Sequence, residues 1–159
     1  MIYIIITTSI NNKVGIQDNN HRQTRYNESI QQLLEFTKNI EDVYPIIVEN
    51  NGIQQTFLDD LNCDVCYTNN NALQFPHKGE NELLDIKEVI HKYQIQDDDF
   101  IIKITGRYRL LSSDFINLVK NNLNTYDAFV KFFDVCTLQY VVDDCILGLF
   151  SIKCKYLHL

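Results

Sequence analysis

Asp98-Asp-Phe-Ile-Ile-Lys-Ile-Thr-Gly-Arg-Tyr-Arg-Leu110 decides how this chain folds. Residues 100–104 form a short apolar run of the kind found in a strand covered on both faces, with a run of acids before it. Gly106 breaks the run. Lys103, Thr105, Gly106, Arg107, Tyr108 and Arg109 therefore fall at or just past the carboxyl end of a buried strand. In an open α/β sheet that end is where ligands bind. Arg offers a planar fork of donors for a phosphate, Thr a hydroxyl, and Tyr a ring face together with a phenol. The group suits a phosphorylated ligand that carries a ring.

On either side of this strand the patterns alternate. Residues 2–7 are continuously apolar and read as a first strand. Tyr26, Ile30, Leu33, Leu34, Thr37 and Ile40 recur at helical spacing and predict a helix over 24–40. A second strand is expected at 44–49, ended by the turn signal Asn50-Asn51-Gly52, then a short helix at 56–61 and a third strand at 63–67. A polar loop over 69–79 leads to a helix whose buried stripe is Leu83, Ile86, Val89, Ile90 and Tyr93. Beyond the fourth strand, Ser112-Ser113-Asp114 offers N-cap residues for a helix carrying Phe115, Leu118 and Val119. Residues 127–133, 138–142 and 146–153 are strand-like, with no clear helix between them. The alternation predicts a three-layer α/β sandwich with a mostly parallel sheet and antiparallel late strands, one domain over residues 1–159.

Composition narrows the function. A chain of 159 residues with 45% hydrophobic and 22% charged residues is ordinary globular material. A net charge of −7 argues against nucleic acid as a partner, because that interaction needs clustered Lys and Arg. No apolar run approaches the roughly 20 residues of a membrane span. Five cysteines, an odd number and without a secretory leader, lead us to expect reduced thiols and a cytoplasmic protein. Cys63-Asp-Val-Cys66 has half the spacing of a zinc knuckle; Cys136, Cys145 and Cys154 are single, so no zinc is expected on the cysteines. Gly-x-Gly-x-x-Gly after the first strand, a Walker A sequence and a nucleophile elbow are all missing.

Other residues have chemistry to offer. Arg22 and Arg25 stand at the start of the first long helix, where cations oppose the macrodipole by about 0.3–1 kcal/mol. An anion between them would give the pair a purpose; solvated surface Arg is the alternative. Lys78 and Gly79 precede the second helix, with Glu82 in its first turn. Gly lets a backbone approach a ligand, and Lys can neutralise a phosphate. Asp97-Asp98-Asp99 lies at the other end of the strand and reads as a solvated loop. Asp134, Asp143 and Asp144 are candidates for a catalytic carboxylate, and alternation lets only one of Asp143 and Asp144 face a given cleft. A polar turn between late strands is the competing reading. His21, His77, His91 and His158 show no metal-ligand spacing.

Lys103-Ile-Thr-Gly-Arg-Tyr108 resembles the signature of small glycosyltransferases with a GT-A-like fold, known from bacterial polysaccharide clusters and large DNA viruses. Lys78-Gly-Glu-Asn-Glu82 is similar to the Lys-Gly-x-x-Glu element upstream of that signature, in the same order and separation. The resemblance implies a transferase that moves a sugar from a nucleotide-diphosphate donor to an acceptor hydroxyl, cytoplasmic, or in the host cytoplasm if viral. It implies that Thr7, Thr8, Ser9 and Ile10 receive the nucleoside, though a strand-capping polar turn explains them equally well. Glu49 and Asn50 would read the base or ribose, though Asn-Asn-Gly is also what a tight turn requires. Metal-dependent members hold Mn²⁺ or Mg²⁺ through Asp-x-Asp just after the fourth strand; here Thr105-Gly106-Arg107-Tyr108 occupies that place, while a divalent Mn or Mg ion on the donor stays open. Arg107 and Lys103 would then stabilise the departing diphosphate. The alternative is a non-catalytic nucleotide or sugar-phosphate binding module. In either case a homo-oligomer could complete the side that receives a glycan acceptor.

Overall fold

Ile2–Thr8 forms the central strand, β1, of a computed structural model that describes residues 1–11, 19–73, 75, 78–134, 139–140 and 147–158. The side chains of Asn19, Lys78, Phe133, Asp134 and Tyr140 are outside that description. β1 pairs in parallel with β2 (Val43–Glu49) on one side and with β4 (Phe100–Thr105) on the other. β3 (Asp64–Tyr67) extends the sheet beyond β2, again in parallel. β8 (Leu149–Lys153) runs antiparallel to β4, and β5 (Ala128–Phe129) antiparallel to β8. The six strands lie in the order β3-β2-β1-β4-β8-β5. The expected mostly parallel sheet with antiparallel late strands is therefore present.

Strand alternation sends successive side chains to opposite faces and builds two cores. Ile2, Ile4 and Ile6 of β1 and Phe100, Ile102 and Ile104 of β4 meet Tyr26, Ile30 and Leu33 of α1 (Asn19–Thr37) and Ile116 and Val119 of α3 (Asp114–Asn121). On the other face, Ile5, Ile46, Val48 and Ile101 meet Ile86, Val89 and Ile90 of α2 (Lys78–Tyr93). Each fully buried aliphatic side chain contributes about 1.5–3 kcal/mol. Helices on both faces explain why β1, and β4 apart from Lys103, read as apolar runs rather than alternating ones.

Several boundaries differ from the sequence reading. α1 starts at Asn19, five residues before the expected start at residue 24, because Asn19-Asn20-His21 adds a polar turn that periodicity does not register. The short helix expected over 56–61 is a single 3-10 turn, Phe57–Asp60, entered through a capping box of Thr56 and Asp59. Ser113 sits at the N-cap of α3 without a side-chain capping bond; its Oγ accepts from Asn117 Nδ2 at 3.1 Å, and Ser112 Oγ accepts from the Asp114 N–H at 3.3 Å. Among the described residues of the late runs, Ala128–Phe129 and Leu149–Lys153 join the main sheet, while β6 (Phe133–Asp134) and β7 (Gln139–Tyr140) form a separate ribbon. Asp99 is not a solvated loop residue. Its carboxylate accepts from the chain's amino terminus at 2.8 Å and from the Gln96 N–H at 3.0 Å, which fixes the entry to β4.

Candidate functional site

The parallel register brings the carboxyl ends of β1, β2 and β4 level, with Thr8 opposite Glu49 and Thr7 opposite Thr105. Polar residues crowd this edge, and the pleat sorts them onto two sides. On the α1 side, Glu49 is wholly buried. It accepts from Thr8 Oγ1 at 2.6 Å, from the Ile10 N–H at 3.1 Å and from Asn51 Nδ2. Its carboxylate thereby holds the loop at the tip of β1. Tyr26 of α1 closes the same side: its phenol oxygen accepts from the Ser9 N–H at 3.1 Å, with Arg22 Nη1 at 3.5 Å. Gly106 fits beneath them, since a Cβ there would lie 2.9 Å from Thr8 Cγ2 and 3.0 Å from the Tyr26 ring. Only glycine allows that approach.

The α2 side has two further anchors. Lys103 is buried, and its ammonium donates to Glu82 Oε2 at 2.8 Å, to Thr105 Oγ1 at 2.9 Å and to the Leu147 carbonyl at 2.9 Å. Thr7 Oγ1 donates to the other oxygen of Glu82 at 3.3 Å. Asp85, one helical turn along, is completely buried and accepts from Thr68 Oγ1, Asn70 Nδ2 and Asn50 Nδ2 at 2.6, 2.8 and 3.0 Å. No cation is among these partners. Burial therefore pushes the Asp85 carboxyl above its ordinary range, against the pull of the three hydrogen bonds, and nearby Glu88 adds to the rise.

What these anchors leave unsatisfied is as informative as what they hold. Among the described residues, four buried side-chain atoms have no hydrogen-bond partner: Ser9 Oγ, Asn50 Oδ1, Arg107 Nε and Ser151 Oγ. The first three stand at the tips of β1, β2 and β4, adjacent strands at one end of the sheet. Buried polar groups are almost always paired, so an orphan needs an explanation such as a ligand. Arg107 follows Gly106 in a turn closed by the Tyr108 N–H to the Thr105 carbonyl at 2.7 Å. Arg109, by contrast, is tied to α1 through Gln32 at 2.6 Å. Tyr108 is half-exposed and lies against Gly148, where a Cβ would come within 2.3 Å of its ring. The contact is at the hydroxyl end of the ring.

The remaining candidates are distributed as follows. Arg22 is buried in the first turn of α1 and Arg25 is exposed in the second. Lys78 and Gly79 form the first turn of α2 rather than preceding it, and Gly79 faces open space. Asp143 and Asp144 lie outside the described residues, as do His77, Cys136 and Cys145. Cys63 packs against the α1-side core and Cys66 in the α2-side core, so the sheet stands between the two thiols. Burial raises the Cys63 thiol to about 11. At the end of β4 the side chains are hydroxyl, guanidinium and phenol. That set does not fit a divalent cation, which requires carboxylate or carbonyl oxygens. A shallow groove of about 370 Å³ lies beside this edge, between β3 and the second half of α2, lined by residues that include Cys66, Tyr67, Lys87 and Lys92.

The sequence reading did not find Asp85, nor the pairing of Glu82 with Lys103. Asp85 sits in the amphipathic α2 pattern just before Ile86, on the buried side, and an acid at a core position was the available signal. For Glu82 and Lys103 the signal was a lysine inside an otherwise apolar strand, which requires a buried counter-charge.

A mixed sheet in this order, with helices on both faces and a polar carboxyl edge, defines a three-layer α/β fold. Its solved neighbours specify the fold further. The chain matches a presumed nucleotide-diphospho-sugar transferase from Desulfovibrio desulfuricans G20 with a TM-score of 0.61 and 12% identity, over 99% of this chain and 65% of that one. It matches 4-diphosphocytidyl-2C-methyl-D-erythritol synthase with a TM-score of 0.56 and 12% identity, over 99% of this chain and 77% of that one. The chain thus has the fold of the nucleotide-diphospho-sugar transferases, and spans under two thirds of the length of the first of these neighbours. No family model matches the chain, and neither does any curated protein.

Proposed function

We propose that the protein is a glycosyltransferase that moves a sugar from a nucleotide-diphosphate donor to an acceptor hydroxyl in glycan synthesis. The observation that carries this reading is Arg107, whose buried Nε has no partner at the ligand end of the sheet. A guanidinium there supplies a preorganised cation where charge develops on the departing diphosphate. Ser9 Oγ and Asn50 Oδ1 are the matching free polar atoms for the nucleoside, at the tips of the two strands beside β4 and beyond it. Thr8, Ile10 and Glu49 shape the α1 side of that edge and Thr7 its α2 side, and Tyr108 offers its ring for stacking. Arg22, Arg25 and Lys78 stand at helix starts from which cations can reach a phosphate. Lys103 acts by holding Glu82 and the Leu147 carbonyl in place, since its ammonium is already surrounded. Asp143 or Asp144 is the carboxylate we assign as base for an inverting reaction.

Incubating the purified protein with a panel of nucleotide sugars, with and without EDTA, tests the reading. Slow release of nucleoside diphosphate from one donor, retained in EDTA, is the expected result. Binding without turnover would mark a non-catalytic module, and no binding of any nucleotide at millimolar concentration would overturn the reading.

A further inference from the structure

Three acids stand at the ligand edge within the described residues, and they are not equivalent. Glu49 and Asp85 are fully buried, and their oxygens are spent on the chain's own donors. Glu82 differs in both respects. Its side chain is 35% exposed, while the Lys103 side chain that holds it is only 2% exposed. Lys103 and Thr7 each take one oxygen, which fixes the carboxylate in orientation and leaves its remaining lone pairs toward solvent. Around it stand the hydroxyls of Thr7 and Thr105, the latter already accepting from Lys103.

A paired carboxylate flanked by hydroxyls repels phosphate and accepts hydrogen bonds from alcohols. We propose that Glu82 is the sugar-hydroxyl receptor of the site, and that Lys103 is its positioning residue rather than a phosphate ligand. This divides the carboxyl edge. The turn at Arg107 takes the anionic part of the donor, and the Thr7–Glu82–Thr105 patch on the α2 side takes vicinal hydroxyls of its sugar. The placement also explains why a lysine is buried in β4, since its charge orients an acceptor across the cleft floor. The proposal rests on the nucleotide-sugar reading for the identity of the full ligand, though not for the hydroxyl chemistry.

Two measurements separate the proposals. The first is calorimetric titration of wild type, Glu82→Gln and Arg107→Ala with the nucleotide sugar that binds best, and with its nucleoside diphosphate. Glu82→Gln should lose at least fivefold of its affinity for the nucleotide sugar and under twofold for the diphosphate, whereas Arg107→Ala should lose affinity for both. Equal losses for both ligands in Glu82→Gln, or none, would overturn the role of Glu82. The second is saturation-transfer NMR with free glucose, galactose and mannose. Its signal should be present in wild type and absent in Glu82→Gln whether or not a nucleotide binds. Wild type that binds no hexose, or a signal unchanged in the variant, also counts against Glu82. Because Glu82→Gln strips a buried lysine of its counter-charge, Glu82→Ala/Lys103→Met, which removes the pair together, serves as the second variant. If it melts like wild type and keeps the hexose signal, Glu82 is not the receptor; if it melts like wild type and loses the signal, the role of Glu82 stands.

Discussion

Arg107 and Gly106 make neighbouring but opposite demands. Arg107 is legible in sequence because a cation past the end of a buried strand has no reason to serve the core, and its unpartnered Nε agrees with that. A charge-assisted contact to a diphosphate is worth about 1.5–3 kcal/mol, or about ten- to a hundredfold in affinity. Arg107→Ala should therefore weaken nucleotide-sugar binding by at least about tenfold with little change in melting temperature. Arg107→Lys should recover only part, since the charge stays but the fork is lost. A lowered melting temperature with unchanged affinity would instead make Arg107 a structural residue. Gly106 is the reverse case. A methyl added there meets Thr8 and the Tyr26 ring at about the shortest distance that carbon atoms tolerate. Overpacking of this kind costs about 1–3 kcal/mol, and Gly106→Ala should show it in chemical denaturation. An unchanged denaturation midpoint would mean that Tyr26 moves aside freely.

The helices connect these residues to the strand tips, and α2 does most of this through Asp85. Its carboxylate joins α2 to Asn50 after β2 and to Thr68 and Asn70 after β3. The pattern of α2 was readable as a stripe of Ile86, Val89 and Ile90, although Leu83, expected in the same stripe, is exposed because the first turns of the helix stand beyond the sheet's apolar face; hydrophobic periodicity is also silent about a polar group buried within the stripe. Only the strand-end loops, brought together by parallel pairing, supply its donors, and no sequence interval announces that meeting. The raised carboxyl has a consequence for pH. Between the ordinary value of 3.8 and the raised folded value, the folded state binds more protons than the unfolded state. Stability from this group therefore falls as pH rises through that window, and the charged form is carried at a cost above it. Asp85→Asn removes the titration but turns an amide N–H₂ toward the donors of Asn50 and Asn70. It should lower stability by about 1–3 kcal/mol at neutral pH and flatten this part of the pH profile. Urea melts between pH 4 and pH 7 would show both effects; a variant as stable as wild type with the same pH slope would remove Asp85 from its place as the hub.

For the molecule as a whole, the parallel half of the sheet was legible and the antiparallel half less so. The middles of β1, β2 and β4 are covered on both faces, so apart from Lys103 their residues had to be apolar, and the pattern left little choice. β5 pairs over Ala128–Phe129 alone, with Tyr126, Val130 and Phe132 exposed beside it, so apolar character there extends beyond the strand. The same contrast predicts how a ligand is felt. Amides in the centre, such as those of Ile5, Ile47 and Ile102, should exchange only on global unfolding, whereas those of the edge strand β5 should open locally. A ligand bound at one hundred times its dissociation constant adds about 2.7 kcal/mol to the global opening energy. Central amides should then slow by about a hundredfold with the best nucleotide sugar. Ala128 and Phe129, whose local opening leaves the carboxyl edge of β1, β2 and β4 intact, should hardly change. The site's own loops, at Ile10, Gly106 and Tyr108, should slow by local contact as well. Hydrogen exchange followed by mass spectrometry resolves these segments. Protection centred on the groove between β3 and α2, with none at residues 105–109, would move the binding site to that groove and overturn the assignment of Arg107.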